Sequence, residues 1–517
     1  MKKNKDIDKS KKKVLDSTDI DDDDSSLTTN NPKRKTNKEA HMKTITKRSE
    51  DYSHWYQDII ASADLAEHSV VRGCMVIKPY GYAVWEKIVA IVDAMLKEMG
   101  VKNAYFPIFI PKSFLEKEKE HVRGFSPELA VVTHGGGSEL EEPLVVRPTS
   151  ETIIYDSFSR WIQSYRDLPM IINQWANVVR WEMRPRLFLR TSEFLWQEGH
   201  SAHTSLQEAR DYSLRILNEV YARFAREYLA MPVYTGQKSE GEKFAGAFET
   251  FCIEALMQDG KSLQVGTSHN LSDNFSKSFN VMYLDTDGQR KYVFQTSWGV
   301  STRLIGGLIM MHSDDKGLIL PPRIAPVQVV IVPIIKDGNQ SVLSATKSVA
   351  EQLAGISVEM DLRDNLRPGE KYYEWEKKGV PVRIEIGPKD LENGTIVLVR
   401  RDTGAKESCP TNQVRSRIDE ILREMQSSLF ATALKRRDDS NKLADSWDEF
   451  GVALKQGGYV FAHWCGEESC EADIKQKTKA VSRFMPFDAE EDEGDHYCIN
   501  CGKKTTHKKR WAFAMAY

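Results

Sequence analysis

The sequence predicts an α+β protein. Its main unit is an antiparallel sheet with helices packed on it. A compact α/β unit follows, and then a small α+β unit that carries a cysteine cluster. Three observations support this. Across 44–324 the β-like stretches at 144–147, 178–182, 188–189, 263–265 and 292–297 are not spaced as βαβ repeats, which favours antiparallel strands with helices laid against them. Across 325–428 strands alternate with helices, as in a mostly parallel sheet. Four of the 7 cysteines fall at Cys465, Cys470, Cys498 and Cys501, a pairing typical of a metal site in a reducing compartment.

Residues 1–43 pass from a Lys cluster to Asp21-Asp22-Asp23-Asp24 with almost nothing apolar to bury, and are expected to be a disordered charged tail. In 44–324, Trp85, Ile88, Val92, Met95 and Met99 recur at helical spacing, and Gly100 stops that helix. The apolar run 104–110 reads as a strand. Its Pro107 lacks an N–H, which places it at an edge or interface. A second amphipathic helix covers 206–228, with Ile216, Val220 and Phe224 on one face. Pro321-Pro322 ends the unit. Strands are then expected at 327–335, 357–361, 380–386 and 395–400, and helices at 341–353 and 369–378. Residues 429–517 form the last unit, which holds the cysteines.

Composition bounds the function. With 517 residues, 40% hydrophobic residues and 11 Trp there is material for about three cores, which excludes wholesale disorder. A net charge of −3 means that any nucleic acid must be met by local basic patches. No apolar run reaches membrane-spanning length, and the Lys-rich start has no apolar core of a secretory signal.

Cys465-x4-Cys470 and Cys498-x2-Cys501 would give a tetrahedral thiolate site suited to Zn²⁺. Four thiolates leave no open position, so such a zinc is structural. Gly236-Gln-Lys-Ser-Glu-Gly241 is followed by Glu242 and Lys243 and is therefore not a phosphate loop. Nucleotide binding must use another scheme, and scattered arginines supply one. Arg180 precedes the loop Arg184-Pro-Arg186, and Arg190-Thr191 follows it. Farther on, Gly299-Val-Ser301-Thr302-Arg303 leads from a strand into a small-residue helix. The planar guanidinium suits bidentate phosphate contact.

These stretches resemble a family. Arg180 with Phe188-Leu-Arg190-Thr191-Ser-Glu-Phe-Leu-Trp196-Gln-Glu198-Gly-His200 is similar to motif 2 of the class II aminoacyl-tRNA synthetases. Gly299-Val-Ser-Thr-Arg303 is similar to motif 3, and the helix ending at Gly100 with Tyr105-Phe-Pro107 to motif 1. Arg147-Pro-Thr149-Ser-Glu151-Thr and Gln264-Val-Gly-Thr267-Ser-His269 resemble the substrate loops of prolyl-tRNA synthetases. The chain between Arg190 and Arg303 is too short for the large editing insertion of the bacterial-type enzymes. Together with the C-terminal cysteines, this resembles the archaeal/eukaryote type. The terminal stretch Trp511-Ala-Phe-Ala-Met-Ala-Tyr517 matches the family's tail, which folds back toward the active site.

The resemblance implies a cytoplasmic homodimer, paired through motif 1, that activates L-proline with ATP and transfers it to tRNA(Pro). It further implies that Arg180 and Arg303 are catalytic, and that Thr149, Glu151, Arg180, Trp196, Phe244 and His269 bind proline. ATP would be held by Arg180, Arg190, Thr191, Gln264, Thr267, Ser301, Thr302 and Arg303, with Mg²⁺ bridging its phosphates. The 325–428 unit resembles an anticodon-binding domain, with Lys371, Lys377, Lys378, Arg383, Lys389, Arg400 and Arg401 interleaved with Tyr372, Tyr373 and Trp375. The alternative is a catalytically silent relative that binds RNA or regulates. The intact Arg180, Arg303 and Glu151 argue against it.

Overall fold

The computed structural model describes residues 44–116, 129–335 and 340–517. The charged tail expected at 1–43 lies outside the described residues. Residues Thr44–Tyr517 form one compact unit. It is built on a sheet of eleven strands, in spatial order Lys442–Leu443, Val460–Ala462, Trp511–Ala514, Val481–Pro486, Val233–Gln237, Glu249–Leu256, Ser262–Ser272, Phe294–Ser301, Glu193–His203, Met170–Val179 and Lys102–Asn103. The strands at the two ends pair in parallel with their neighbours, and every other pair is antiparallel. The C-terminal strands are continuous with the central sheet, joined where Met485 and Pro486 pair with Gln237 and Gly236.

The helix Pro79–Glu98 starts on a proline at its first turn and ends before Gly100 at φ 80°, where glycine meets no steric penalty. Its stripe of Val84, Trp85, Ile88, Val92 and Met95 is buried in the main core. The second amphipathic helix runs as expected from Leu206, with a π-helical segment Ile216–Ala222. The expected strand at 104–110 is instead split. Lys102–Asn103 lies at the edge of the large sheet and Phe109–Pro111 at the edge of a three-stranded sheet. Pro107 cannot donate to a ladder, and the chain changes sheets across it. Strand pairing is also absent at 188–189. Phe188 adopts φ 62° with its ring buried, so the chain turns back there, closed by the bridge of Arg186 with Arg190.

The second sheet holds Val358–Met360, Val329–Pro333, Val382–Ile386, Thr395–Arg400 and Lys406–Pro410 in that order. Its first two pairings are parallel and its last two antiparallel. The antiparallel strands Thr395–Arg400 and Lys406–Pro410 make it mixed rather than mostly parallel. The helix Val414–Asp439 then runs on toward the C-terminal segment. The two sheets are tied by Arg401, whose guanidinium donates to both Asp314 oxygens at 2.9 and 2.7 Å and to the Glu376 carbonyl at 2.8 Å.

Candidate active site and metal centre

The centre of the large sheet carries a cleft of about 280 Å³. A neighbouring cavity of about 210 Å³ shares Arg180, Phe194, Ser301 and Arg303 with it. The larger cleft is lined by Thr149, Glu151, Arg180, Trp196, Phe244, Gln264, Thr267, His269, Ser301 and Arg303. Arg190 and Thr191 line the smaller one. Thr302 lines neither. It is fully buried at the start of the helix Arg303–His312, with its N–H on the Leu195 carbonyl.

Strand pleating explains much of this convergence. Trp196, Glu198 and His200 alternate along Glu193–His203 and share one face. Gly199, on the other face, lies against Trp298, whose ring a Cβ would meet at 1.9 Å. Gly306 plays a similar part on the motif 3 helix, since a Cβ there would come within 2.6 Å of Leu189. Its absence lets the motif 2 loop close onto that helix.

Arg180 stands where the two cavities meet. Its Nε donates to the Pro148 carbonyl at 2.9 Å, and its guanidinium lies 5.3 Å from the Trp196 ring centroid and 5.6 Å from that of Phe194. Arg303 is held by the Leu189 carbonyl at 3.3 Å. Burial, with the neighbouring charges of Arg190 and Arg180, pushes its pKa down to about 10. It remains cationic at neutral pH, in a setting where an anionic ligand would relieve the repulsion.

At the other end, Thr149 donates to Glu151, which begins the helix Glu151–Trp161. Ser150 provides no side-chain cap to that helix. Its hydroxyl instead donates to Glu198 at 2.5 Å. Burial works to raise the Glu198 carboxyl, but hydrogen bonds from His200, Ser150 and Gln174 outweigh it and hold the group below its ordinary value. A fixed carboxylate therefore stands in the cleft wall. The reading of roles from sequence missed Glu198, although its alternation with Trp196 and His200 was there to be used.

His269 stacks on Phe244 with ring centroids 4.6 Å apart, and its Nδ1 is 3.0 Å from the Thr250 hydroxyl. Burial, followed by the charges of His200 and Arg180, pushes its pKa down to about 3. It is thus a neutral wall and hydrogen-bonding group. Thr250 takes the Phe244 N–H at 3.0 Å and so fixes both partners of the stack.

Cys465, Cys470, Cys498 and Cys501 come together with their sulfurs all within 4.8 Å of one another. Cys470 and Cys498 are 3.5 Å apart, and Cys465 and Cys501 are 3.9 Å apart. A tetrahedral ion with Zn–S bonds of ~2.3 Å needs edges of roughly 3.8 Å, so the donor set fits a structural zinc. Burial alone would raise the Cys498 thiol, yet backbone N–H groups of Cys501, Asn500 and Cys465 bring its pKa down to about 7. Those amides favour the thiolate that a metal requires.

Of the basic residues expected to meet RNA, Lys371, Lys377 and Arg401 are buried. Lys371 donates to the Asp361 carbonyl, and Arg401 is the tie between the sheets. Arg383, Arg400 and Arg401 line a surface cavity with Trp375, Lys316 and Lys406.

The chain is similar to known proteins over most of its length. Residues 132–312 match the tRNA synthetase class II core domain (G, H, P, S and T), 328–421 the anticodon binding domain, and 447–517 the prolyl-tRNA synthetase C-terminal domain. The proline–tRNA ligases of Chlorobium chlorochromatii and Chlorobaculum tepidum are each 55% identical to this chain over 483 residues, 92% of it and 99% of theirs. That of Porphyromonas gingivalis is 53% identical over 494 residues, with the same coverage. The chain belongs to the class II prolyl-tRNA synthetase family, in the archaeal/eukaryote-type form that carries the dedicated C-terminal domain.

Proposed function

We propose a division of labour across the two cavities. The activity is that of a proline–tRNA ligase: the proline carboxylate attacks the α-phosphorus of ATP and releases pyrophosphate, and the prolyl group then passes to the 3′ end of tRNA(Pro). Two anions must meet, so the enzyme supplies cations and orientation rather than a general base. The observation that carries the reading is that Arg180 and Arg303 line both cavities. Arg180 would bridge the carboxylate and the α-phosphate, and its Pro148 and aromatic contacts fix it before substrates arrive. Arg303 would neutralise the outer phosphates, with Ser301 beside it.

Thr149 and Glu151 would receive the secondary ammonium of proline, with Glu198 adding a third acceptor in the same wall. Trp196, Phe244 and neutral His269 would enclose the ring. Gln264 and Thr267 would meet the adenosine, and Arg190 and Thr191 the rest of the nucleotide. For Thr302 the buried position supports a helix-start role rather than contact with ATP. Glu182 is the carboxylate lining the smaller cavity. It would hold a Mg²⁺ whose charge offsets that of the phosphates.

The 44–324, 325–428 and 429–517 segments would serve catalysis, anticodon reading and zinc-braced support. Tyr105 and Phe109, exposed at 73% and 46% beside motif 1, favour pairing of two copies there. Sedimentation should then give a dimer, and a monomer at micromolar concentration would contradict it. For catalysis, Arg180→Ala should lower proline-dependent ATP–pyrophosphate exchange by ~100-fold or more, as for loss of a principal electrostatic stabiliser. Near-normal exchange would remove Arg180 from the reaction.

A further inference from the structure

The loop between Val233–Gln237 and Glu249–Leu256 is the stretch whose glycines superficially suggest a phosphate loop. It carries Glu242, Lys243 and Phe244 into the cleft wall. Its two ends are tied to the sheet. The Lys238 N–H donates to the Thr250 carbonyl at 2.8 Å, and the Lys238 ammonium meets Glu254 at 2.7 Å. Between these ties the loop turns at 239–242, where the Ser239 hydroxyl accepts the Glu242 N–H at 3.2 Å.

That turn is gripped from the C-terminal segment. Ser239 donates to Glu471, with both carboxylate oxygens at 3.0 Å. Ser482 also donates to Glu471, and its oxygen lies 3.2 Å from that of Ser239. All three side chains are buried. Gly241 passes so near that a Cβ would sit 2.7 Å from a Glu471 oxygen. A short polar chain thus runs from Ser482 through Glu471 and Ser239 to the Glu242 backbone, two residues before the ring that stacks on His269.

We propose that Glu471 and Ser482 are positioning residues for the proline pocket. They clamp the 239–242 turn so that Phe244 stands over His269. This rests on the assignment of the larger cleft to proline. It gives the C-terminal segment a direct part in amino-acid recognition, through a residue adjacent to the zinc ligand Cys470 on the helix Glu468–Thr478. Loosening the clamp displaces a wall that touches the amino acid and leaves the ATP side untouched.

The test is proline-dependent ATP–pyrophosphate exchange on the full chain with Glu471→Ala, Glu471→Gln and Ser239→Ala. Glu471→Ala should raise the KM for proline by about 5–20-fold, with kcat and the KM for ATP within about 2-fold, the signature of lost ground-state binding. Glu471→Gln should restore most of the loss, because its amide oxygen still accepts from Ser239. Ser239→Ala, a milder change in the loop itself, should shift the proline KM the same way. The double variant Glu471→Ala/Ser239→Ala should be no worse than Glu471→Ala alone, as expected of one coupled unit. An unchanged proline KM in Ser239→Ala, or equal losses toward ATP and proline, overturns the inference. Absence of proline-dependent exchange in the unsubstituted enzyme would instead overturn the assignment of the cleft, and the inference with it.

Discussion

At the scale of single residues, the site rests on charges held in fixed positions. His269 and His312 are both buried and neutral, with pKa values pushed by burial down to about 3 and about 4. Their unfolded counterparts titrate near pH ~6.5. Each therefore contributes stability that is complete above that pH and is lost as pH falls toward the folded value. Thermal unfolding should move to lower temperature between about pH 6.5 and 4. His312→Gln can still donate to the Leu229 carbonyl, which His312 Nε2 meets at 2.9 Å, and should flatten that dependence. An unaltered slope would show that His312 does not carry it. The carboxylate and arginine positions of the cleft were legible in the sequence because their motifs are short and dense. Thr302 was harder to place. A hydroxyl one residue from Arg303 reads as a ligand, and in the fold it lies buried at the start of the next helix. Glu198 and Thr250 were missed as partners because their importance lies in what they hydrogen-bond across strands, which a linear reading does not show.

At the scale of elements, apolar periodicity located the helices Pro79–Glu98, Gln340–Gln352 and Pro368–Lys377 to within a few residues, but it passed over the helices Tyr52–Ser62, Val414–Asp439 and Glu468–Thr478 and the strands Glu193–His203 and Glu249–Leu256. It failed where a proline or a left-handed residue broke the pattern, at Pro107 and Phe188. Hydropathy did not distinguish a strand from a tight buried turn of similar composition at 188–189. Ion pairs between elements were likewise invisible in the sequence. Arg401 reads as a surface cation beside Arg400. In the fold its side chain is 3% exposed and binds Asp314. Burial works to raise the Asp314 carboxyl, and Arg401 outweighs it and holds the group below its ordinary value. Removing the cation leaves Asp314 partly buried and unpaired. Arg401→Ala should therefore destabilise the protein by about 2–3 kcal/mol, read as a lowered unfolding midpoint. A change below ~0.5 kcal/mol would make the pair a spectator. The cysteine cluster makes a sharper prediction. Metal analysis should return about one zinc per chain, and Cys498→Ser should lose most of it and unfold at lower temperature. A fully stable, metal-free protein would contradict a structural zinc.

At the scale of the whole molecule, the sequence suggests three units in series. The fold keeps their order, but the C-terminal strands extend the central sheet through Val481–Pro486. Segment order is legible in composition and spacing. Sheet continuity over such distances is not, since it depends on a pairing of only two residues at Met485 and Pro486. Selectivity also belongs to this scale. A pocket that recognises by shape rejects larger amino acids firmly, but smaller ones by only ~10–200-fold. Alanine should therefore support detectable pyrophosphate exchange, and its complete rejection would show that more than pocket shape sets selectivity. The central claim is that two anions are drawn together between Arg180 and Arg303, and a crystal structure with a stable prolyl-adenylate analogue tests it most directly. The account predicts the proline ring against Trp196, Phe244 and His269, with the phosphate mimic beside Arg180. An analogue bound elsewhere, or an Arg180 turned away from it, would contradict the account.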